Sequence, residues 1–338
     1  MRLLAIETSC DETAAAVMGD GQLLANIIAT QEIHQLFGGV VPELASRAHL
    51  QRIVPIVQKA LSQARISQKE LMAVAVTYGP GLIGSLLVGL SFAKGLALQL
   101  GVPLLGINHL EGHLFSTNIM PGGPMPPFLS LIISGGHTIL TCVHEWGNYQ
   151  ILGQTQDDAA GEAFDKVAKI LGLPYPGGPA VEKLAATGDP EAIDFPRARL
   201  KSTLRSEAQR FDFSFSGLKT AVLYHVRKLS PEALERQRAD IAASFQQALI
   251  NALVENVGLA HEHFPTGAVA LAGGVACNRT LRQAFVRLAD QRGFQLYFPE
   301  PLFCTDNAAM IARAAQFHLD RGHRSPLSLA PEPGLVLS

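Results

Sequence analysis

The chain begins with three short apolar runs separated by turn residues. The runs are RLLAIE, AAAVM and QLLANIIAT, and the turns between them are TSCDET and GDG. Apolar runs of this length between turn residues predict a three-stranded antiparallel meander. A helical pattern follows at about 43 to 64, then a buried strand (LMAVAVTY), a helix after GPGLIGS and a further strand (PLLGI). The first part of the chain is therefore predicted to have the order βββαβαβ.

The same order returns after the proline- and glycine-rich segment MPGGPMPP. FLSLIIS, ILTCVH and YQILGQT predict a second meander, and helices alternate with strands from GEAFDKVAKILGL to TDNAAMIARAAQFHLDRG. The pattern predicts an α/β fold with a duplicated βββαβα core in two lobes, which face each other across a central cleft. We place the N-terminal lobe at 1–118 and the C-terminal lobe at 119–338, with an insertion at about 174–230. The final helix is predicted to pack back toward the N-terminal lobe.

Composition indicates an ordinary globular protein with no global affinity for polyanions. The 338 residues are 48% hydrophobic and 17% charged, with a formal net charge of −2. The four cysteines are scattered and form no CxxC pair, which is typical of a reducing compartment. The apolar stretch LIGSLLVGLSFAKGLALQL is interrupted by glycines and Lys94, so we predict no membrane span and a cytoplasmic location.

A histidine pair is the clearest candidate for chemistry. His109 and His113 stand four residues apart in INHLEGHLFS, with Glu111 between them. Residues four apart share a helix face, so both imidazoles can reach one metal ion. In the zinc-protease pattern HExxH the glutamate follows the first histidine, whereas Glu111 is predicted about 200° around the helix from His109. Two structural histidines beside Asn108 would have the same spacing.

Two histidines leave a metal ion undercoordinated, so a third ligand is expected elsewhere. Asp306, in FCTDNAAMIA, stands between a predicted strand and a predicted helix, where loops of a sheet-based lobe converge on the cleft. The alternative role for Asp306 is to cap the N-terminus of the following helix. A His, His, Asp set would leave positions open for a substrate oxygen.

Two glycine-rich turns are candidates for binding a phosphate. SGGHT (134–138) and AGGVACN (272–278) stand at corresponding junctions of the second lobe, and backbone amides in such turns suit an anion. The glycines could equally well serve only to make tight turns.

The insertion is locally basic. Phe211, Phe213 and Phe215 alternate within it; they could stack nucleic-acid bases, but we interpret them as a half-buried strand. The basic side chains of this segment could contact phosphate groups or could form a solvated face. Between 195 and 230 there are two acidic residues, Glu207 and Asp212, and eight lysines or arginines, at 197, 199, 201, 205, 210, 219, 227 and 228.

Six motifs together resemble those of the tRNA N6-adenosine threonylcarbamoyltransferase family, of the bacterial type. They are HLEGH, SGGHT, GEAFDKVAKILGLPYPGGP, FSFSGLKTAV, AGGVACNRTLR and CTDNAAMIA, and the resemblance extends from IETSCDET to the final helix. It implies the actin, sugar-kinase and chaperone-like (ASKHA) fold. It also implies transfer of a threonylcarbamoyl group from threonylcarbamoyl-adenylate to N6 of adenosine 37, with release of AMP, in tRNAs that read codons beginning with A.

The resemblance further implies site residues and partners. His109, His113 and Asp306 would bind one divalent metal ion, iron or zinc. Apart from the resemblance, Glu12 and Asp11 in the first hairpin turn are candidates to orient the incoming amine or to accept its proton, with Glu12 the more important, or they only shape the turn. The implied partners are tRNA, threonylcarbamoyl-adenylate, an adenylate-forming synthase, a small ATPase and a shorter homologous subunit that binds the N-terminal lobe. The implied binding surface for the adenylate consists of Ile132, Ile133, Ser134, Gly135, Gly136, Asp165, Gly178 and Asn278.

Two other functions remain open from the residues alone. A metalloprotease would use the same histidine pair with water as nucleophile. A non-enzymatic nucleotide-switch module of actin-like fold would use the glycine turns and leave the histidines structural.

Overall fold

The computed structural model describes residues 2–196 and 210–337. The predicted basic segment therefore lies partly outside the described residues, including positions 197, 199, 201, 205 and 207. The strands are β1 (Arg2–Glu7), β2 (Glu12–Gly19), β3 (Gln22–Thr30), β4 (Ala73–Gly79), β5 (Leu104–Asn108), β6 (Phe128–Ile133), β7 (Thr138–Glu145), β8 (Asn148–Gln154), β9 (Ala268–Ala272) and β10 (Gln295–Tyr297). The α-helices are α1 (Pro42–Ala64), α2 (Ile83–Leu100), α3 (His109–Phe115), α4 (Ala160–Ile170), α5 (Gly177–Ala185), α6 (Ser216–Val226), α7 (Pro231–His263), α8 (Arg279–Arg292), α9 (Pro301–Cys304) and α10 (Ala308–Asp320).

The chain divides into two compact units. The first runs to Gly123 and includes Pro299–Leu337, and the second is Pro124–Phe298. The division falls five residues after the lobe boundary at 118/119 that we placed from the sequence. Because the first unit takes in Pro299–Leu337, it contains α9, α10 and the C-terminal segment that follows them.

The first unit is built on a five-stranded sheet in the order β3-β2-β1-β4-β5. β1 pairs with β2 antiparallel and with β4 parallel. Side chains alternate between the faces of a strand, so Leu4 and Ile6 of β1 point to one face, where they join a core with Ile53 of α1 and Leu90 of α2. α10 also packs against β1 and β2.

The second unit repeats this topology. Its sheet has the order β8-β7-β6-β9-β10, with β6 antiparallel to β7 and parallel to β9. Its core combines the sheet with the helices that follow, including Phe164 of α4 and Phe245 of α7, whose rings lie edge to face at 5.3 Å. The predicted duplication of a βββαβα core is confirmed.

One helix in the described part of the chain, α2, is long and apolar enough to cross a membrane by length and composition alone. Core helices of water-soluble domains pass the same test. α2 buries Leu86, Leu90 and Ala93 and packs against β4 and α1.

The predicted strand through Phe211, Phe213 and Phe215 is wrong. Only Phe213 makes a bridge, a parallel one to Thr155, because Ser216 already begins α6. All three rings are buried, and Phe213 and Phe215 stack on each other with centroids 6.1 Å apart. These side chains are therefore core residues and do not present their faces to bases.

Truncation of Phe213 tests this assignment. Because its ring is fully buried, Phe213→Ala is expected to lower the free energy of unfolding by about 3–5 kcal/mol. Phe213→Leu should cost less than about 1.5 kcal/mol, since it keeps most of the apolar volume. Denaturant unfolding of the two variants measures the difference. Unchanged stability in Phe213→Ala, together with weaker nucleic-acid binding, would contradict a core role.

Candidate functional site

The helix α3 carries both histidines, as predicted. Asn108 begins it: the Asn108 Oδ1 atom accepts hydrogen bonds from the backbone N–H of Leu110 (2.8 Å) and of Glu111 (3.4 Å). The four-residue spacing places the rings of His109 and His113 on one face, with centroids 4.8 Å apart. Both side chains are buried.

Asp306 lies opposite these two rings. Its Oδ1 atom is 3.2 Å from His113 Nε2 and 3.5 Å from His109 Nε2. The alternative that Asp306 caps the following helix is wrong, because Asn307 does so: its Oδ1 atom accepts from the Met310 N–H at 3.0 Å. The carboxylate of Asp306 is thus turned to the histidines.

These three side chains fit a metal ion. One ligand atom from each lies within 4.8 Å of the other two. Neither ring nitrogen of the fully buried His113 makes a well-directed hydrogen bond among the described residues, although Nε2 lies 3.2 Å from Asp306 Oδ1. A buried imidazole without such a partner is costly, and coordination of a cation would remove that cost. Two imidazoles and one carboxylate are a common ligand set for iron and zinc.

A second layer of residues orients His109, and the sequence reasoning missed it. Glu7 Oε2 and Ser9 Oγ both lie 3.2 Å from His109 Nδ1. Glu7 also accepts from Thr77 Oγ1 at 2.5 Å and from the Ser9 N–H at 2.5 Å. An ionised Glu7 can only accept, so Nδ1 of His109 carries the proton and Nε2 is directed at Asp306. The available signal was a glutamate at the end of the buried strand RLLAIE.

The charges of this cluster shift its pKa values. Burial disfavours the imidazolium form, but Asp306 and Glu7 outweigh it and raise the pKa of His109 to about 9. Burial lowers the pKa of His113. Burial would raise the pKa of Glu7, but the charge and hydrogen bond of His109 leave it below its usual value. A cation would therefore have to displace a proton from His109.

Asp11 ends the turn between β1 and β2, and Glu12 is the first residue of β2, within electrostatic range of Asp306 and Glu7. Burial, with the neighbouring Asp11 and then Asp306, raises the pKa of Glu12 well above its usual range. The same causes, burial first, raise the pKa of the Cys10 thiol. A carboxyl group in such surroundings binds a proton readily, as a general base requires.

In the second unit, the SGGHT loop closes the hairpin between β6 and β7. The side chains of Ile132 and Ile133 are fully buried, so only their backbone can face a ligand. Gly135 and Gly136 are exposed, and a Cβ added at either would meet open space within the described structure. Ser134 Oγ accepts from the His137 N–H at 3.1 Å, which holds the loop in shape.

The start of α4 lies against this loop. A Cβ at Gly161 would be 2.5 Å from the Ser134 carbonyl oxygen, so only glycine allows the approach. Asp165 follows one turn later in α4, and its Oδ1 accepts from the Gly177 N–H at 2.7 Å. Gly178 is next to that contact, at the start of α5, with open space where a Cβ would be.

Asn278 is engaged in the fold itself. Its Oδ1 caps α8 by accepting from the Leu281 N–H at 2.9 Å, and its Nδ2 donates to Gln246 Oε1 at 2.8 Å. The preceding turn adjoins β6, since a Cβ at Gly273 would lie 2.4 Å from the Ile133 carbonyl oxygen. A chain of contacts thus connects the ends of β6 and β9 with the starts of α4, α5 and α8.

Comparison with known proteins identifies the family. The family model of tRNA N6-adenosine threonylcarbamoyltransferases matches residues 22–313. The enzyme of that name from Clostridium kluyveri is 49% identical over 339 residues, covering 100% of this chain and 98% of its own length. The one from Chlorobium luteolum is 51% identical over 329 residues, covering 95% and 94%. The chain belongs to the tRNA N6-adenosine threonylcarbamoyltransferase family.

Solved structures with low identity support the fold alone. HypF from T. kodakarensis has a TM-score of 0.61 at 14% identity, covering 95% of this chain and 48% of HypF. Component A of the (R)-2-hydroxyglutaryl-CoA dehydratase from Acidaminococcus fermentans has a TM-score of 0.55 at 16% identity, covering 95% and 98%. The predicted ASKHA fold is thereby confirmed.

Membership of the threonylcarbamoyltransferase family makes the chain a transferase, and the geometry disfavours the metalloprotease alternative. The Glu111 carboxylate, which a protease would need as base, lies 2.8 Å from His318 Nε2 on α10. It is not among the side chains whose ligand atoms converge with those of His109 and His113. The non-enzymatic switch module is excluded by the same family assignment.

Proposed function

We propose that this chain transfers the threonylcarbamoyl group of threonylcarbamoyl-adenylate to N6 of adenosine 37 in tRNAs that read codons beginning with A. The observation that carries the proposal is the convergence of His109, His113 and Asp306 in a member of this family. N6 attacks the carbonyl carbon of the threonylcarbamoyl group, a C–N bond forms, the C–O bond to the phosphate breaks, and AMP leaves. The attacking amine loses one proton.

His109, His113 and Asp306 would hold one iron or zinc ion. When bound, the ion would supply Lewis-acid polarisation of the threonylcarbamoyl oxygens. Glu7 keeps the His109 ring oriented through Nδ1, and Glu12 is the candidate acceptor of the amine proton. AMP is a good leaving group, so positioning of the reactants contributes most of the rate enhancement.

The loops of the second unit would bind the adenylate. The exposed backbone of Gly135 and Gly136 suits a phosphate, because two glycines in succession leave their N–H groups accessible. Asp165 lies one helical turn after Gly161, which contacts that loop, and Gly178 follows the residue whose N–H donates to Asp165. Both would contact the nucleoside. Asn278 acts by capping α8 and shaping the surface, since its side chain already has partners on both sides.

We propose the cytoplasm as the location, and as partners an adenylate-forming synthase, a small ATPase and a shorter homologous subunit. An exposed apolar surface on α1 and α2 is the candidate docking site for the homologous subunit. Leu50 and Val54 are 69% and 47% exposed on α1, and Ile83 and Leu87 are 50% and 46% exposed on α2. Gly84 of α2 approaches α1 closely, so the two stripes are adjacent. Several exposed apolar side chains on adjacent helices are typical of a protein interface.

A charge in this docking surface should weaken assembly without affecting the metal site. Leu50→Glu is expected to cost at least about 2 kcal/mol of binding, or roughly 30-fold in Kd, because the carboxylate would be buried against apolar atoms. Val286→Glu, at a residue of α8 with 46% exposure, is the matched control. Sedimentation or calorimetry with the purified homologous subunit measures the difference. Equal affinity of Leu50→Glu and wild type would place the docking site elsewhere.

Transfer itself is tested with purified threonylcarbamoyl-adenylate and unmodified tRNA, with the other subunits present. Mass spectrometry of the digested nucleosides should show threonylcarbamoyl-adenosine formed in equimolar amount with AMP. A tRNA with guanosine in place of adenosine 37 should give no product. Hydrolysis of the adenylate without nucleoside product, or the same product from the substituted tRNA, would refute the proposal.

A further inference from the structure

The backbone carbonyl of Cys10 accepts hydrogen bonds from two different helices. His49 Nε2 of α1 lies 2.9 Å from the Cys10 oxygen, and Ser85 Oγ of α2 lies 3.3 Å from it. Both donors are fully buried. Cys10 immediately precedes Asp11 and Glu12, so both helices hold the chain just before the two candidate catalytic carboxyls.

His49 also holds the other end of this turn. Its Nδ1 lies 2.8 Å from Thr13 Oγ1, the residue that follows Glu12. A carbonyl oxygen can only accept, so Nε2 carries the proton, and Nδ1 accepts from the Thr13 hydroxyl. Burial lowers the pKa of His49, which favours this neutral form. One imidazole therefore bridges residues 10 and 13 and fixes the two acidic residues between them.

The ring of His49 is itself held in place. Gln31 Nε2 donates to the Ala45 carbonyl at 3.3 Å and lies 3.5 Å from His49 Nδ1, the ring nitrogen that can accept. Gln31 Oε1 accepts from His34 Nε2 at 3.0 Å. A buried polar network in which each member has partners has one well-defined arrangement, as required of a group that positions another.

We propose that His49 and Ser85 are positioning residues that place the Asp11–Glu12 turn beside Asp306. The inference rests on the proposed function, because it gives that turn its task in transfer. His49 does not contact the reacting atoms; it acts through the Cys10 carbonyl and the Thr13 hydroxyl. Loss of this support should misplace Glu12 without removing its carboxyl group and without disturbing the metal ligands on α3.

Two amide substitutions separate the contacts of His49. The amide nitrogen of a glutamine reaches about as far as Nε2, so His49→Gln can still donate to Cys10, whereas the shorter His49→Asn reaches only about as far as Nδ1. We expect His49→Asn to lower kcat by about 10- to 100-fold at unchanged KM for tRNA and adenylate and unchanged metal content. His49→Gln should recover most of this loss. Ser85→Ala should lower kcat less than His49→Asn, since it removes the longer of the two hydrogen bonds to the Cys10 carbonyl. Ser62→Ala, at an exposed serine of α1, is the control.

Hydrogen exchange of peptides that cover residues 8–13 provides a readout that does not depend on transfer. Exchange should be faster in His49→Asn than in His49→Gln, with equal protection elsewhere in α1. If His49→Asn lowers Tm, Ser85→Ala carries the test by the same two measurements. Wild-type kcat in His49→Asn, or equal loss in the Asn and Gln variants, would overturn the proposal. Failure of the proposed function would give a different result: the wild-type protein would make no threonylcarbamoyl-adenosine, while hydrogen exchange would still differ between His49→Asn and His49→Gln.

Discussion

Replacing His113 by alanine is expected to remove the metal ion from the purified protein and to abolish transfer. Loss of residues that only orient a ligand typically weakens metal binding by about 10- to 100-fold, and loss of a ligand itself should cost more. His113 provides one of three converging atoms, and the two that remain are a weak chelate. Metal analysis of anaerobically purified protein should therefore give far less than one ion per chain for His109→Ala, His113→Ala and Asp306→Ala.

Two further variants complete this comparison. His144→Ala, at an exposed histidine of the second unit, should retain the full metal content. Glu7→Gln should bind the ion about 10- to 100-fold more weakly than wild type, because it removes the carboxylate that orients His109. Wild-type metal content in both His113→Ala and Asp306→Ala would refute the ligand assignment.

Replacing Glu12 by glutamine should reduce transfer by about 10²- to 10⁴-fold while the metal content remains unchanged. His49 holds the residues on both sides of the Asp11–Glu12 pair, and burial, Asp11 and Asp306 raise the pKa of Glu12, which makes its ionised form a stronger base for the proton of N6. Glutamine keeps the size of the side chain but cannot accept that proton. Single-turnover transfer from purified adenylate measures the step without interference from its synthesis.

Asp20→Asn is the matched control for Glu12→Gln. Asp20 stands in the next hairpin turn and is fully exposed, so its neutralisation should leave the transfer rate unchanged. Full transfer by Glu12→Gln would remove Glu12 from the mechanism and leave Asp11 or water as the base. A slow rate that rises steeply with pH in Glu12→Gln would support the loss of a base.

Local patterns predicted the fold well because its elements are defined by contiguous residues. The meanders follow from short apolar runs between turn residues, and the repeat of their order predicted two sheets of equal topology. The strand through Phe211, Phe213 and Phe215 was wrong because alternation also occurs where a buried loop leads into a helix. At the end of that loop the N–H groups of Phe215 and Ser216 donate to Asp157 Oδ1, which lies between β8 and α4, and these bonds favour a helix start over a strand.

The candidate metal site was predictable in part for the same reason. A four-residue spacing is local, so the pairing of His109 with His113 could be predicted from the sequence. Glu7, Ser9 and His49 could not be assigned roles, because their contacts join residues far apart along the chain, such as Glu7 with His109 and His49 with Cys10. Asp306 and Asn307 are neighbours with similar capping ability, so the sequence does not distinguish them; in the fold Asn307 caps α10 and Asp306 faces the histidines.

Anomalous diffraction from crystals of the anaerobically purified, active protein tests the central claim most directly. Data collected on either side of the iron and zinc absorption edges would identify the ion and locate it. The account predicts one strong peak per chain, within coordination distance of His109 Nε2, His113 Nε2 and the Asp306 carboxylate. A peak bound by other side chains, or active crystals without a peak at these three residues, would contradict it.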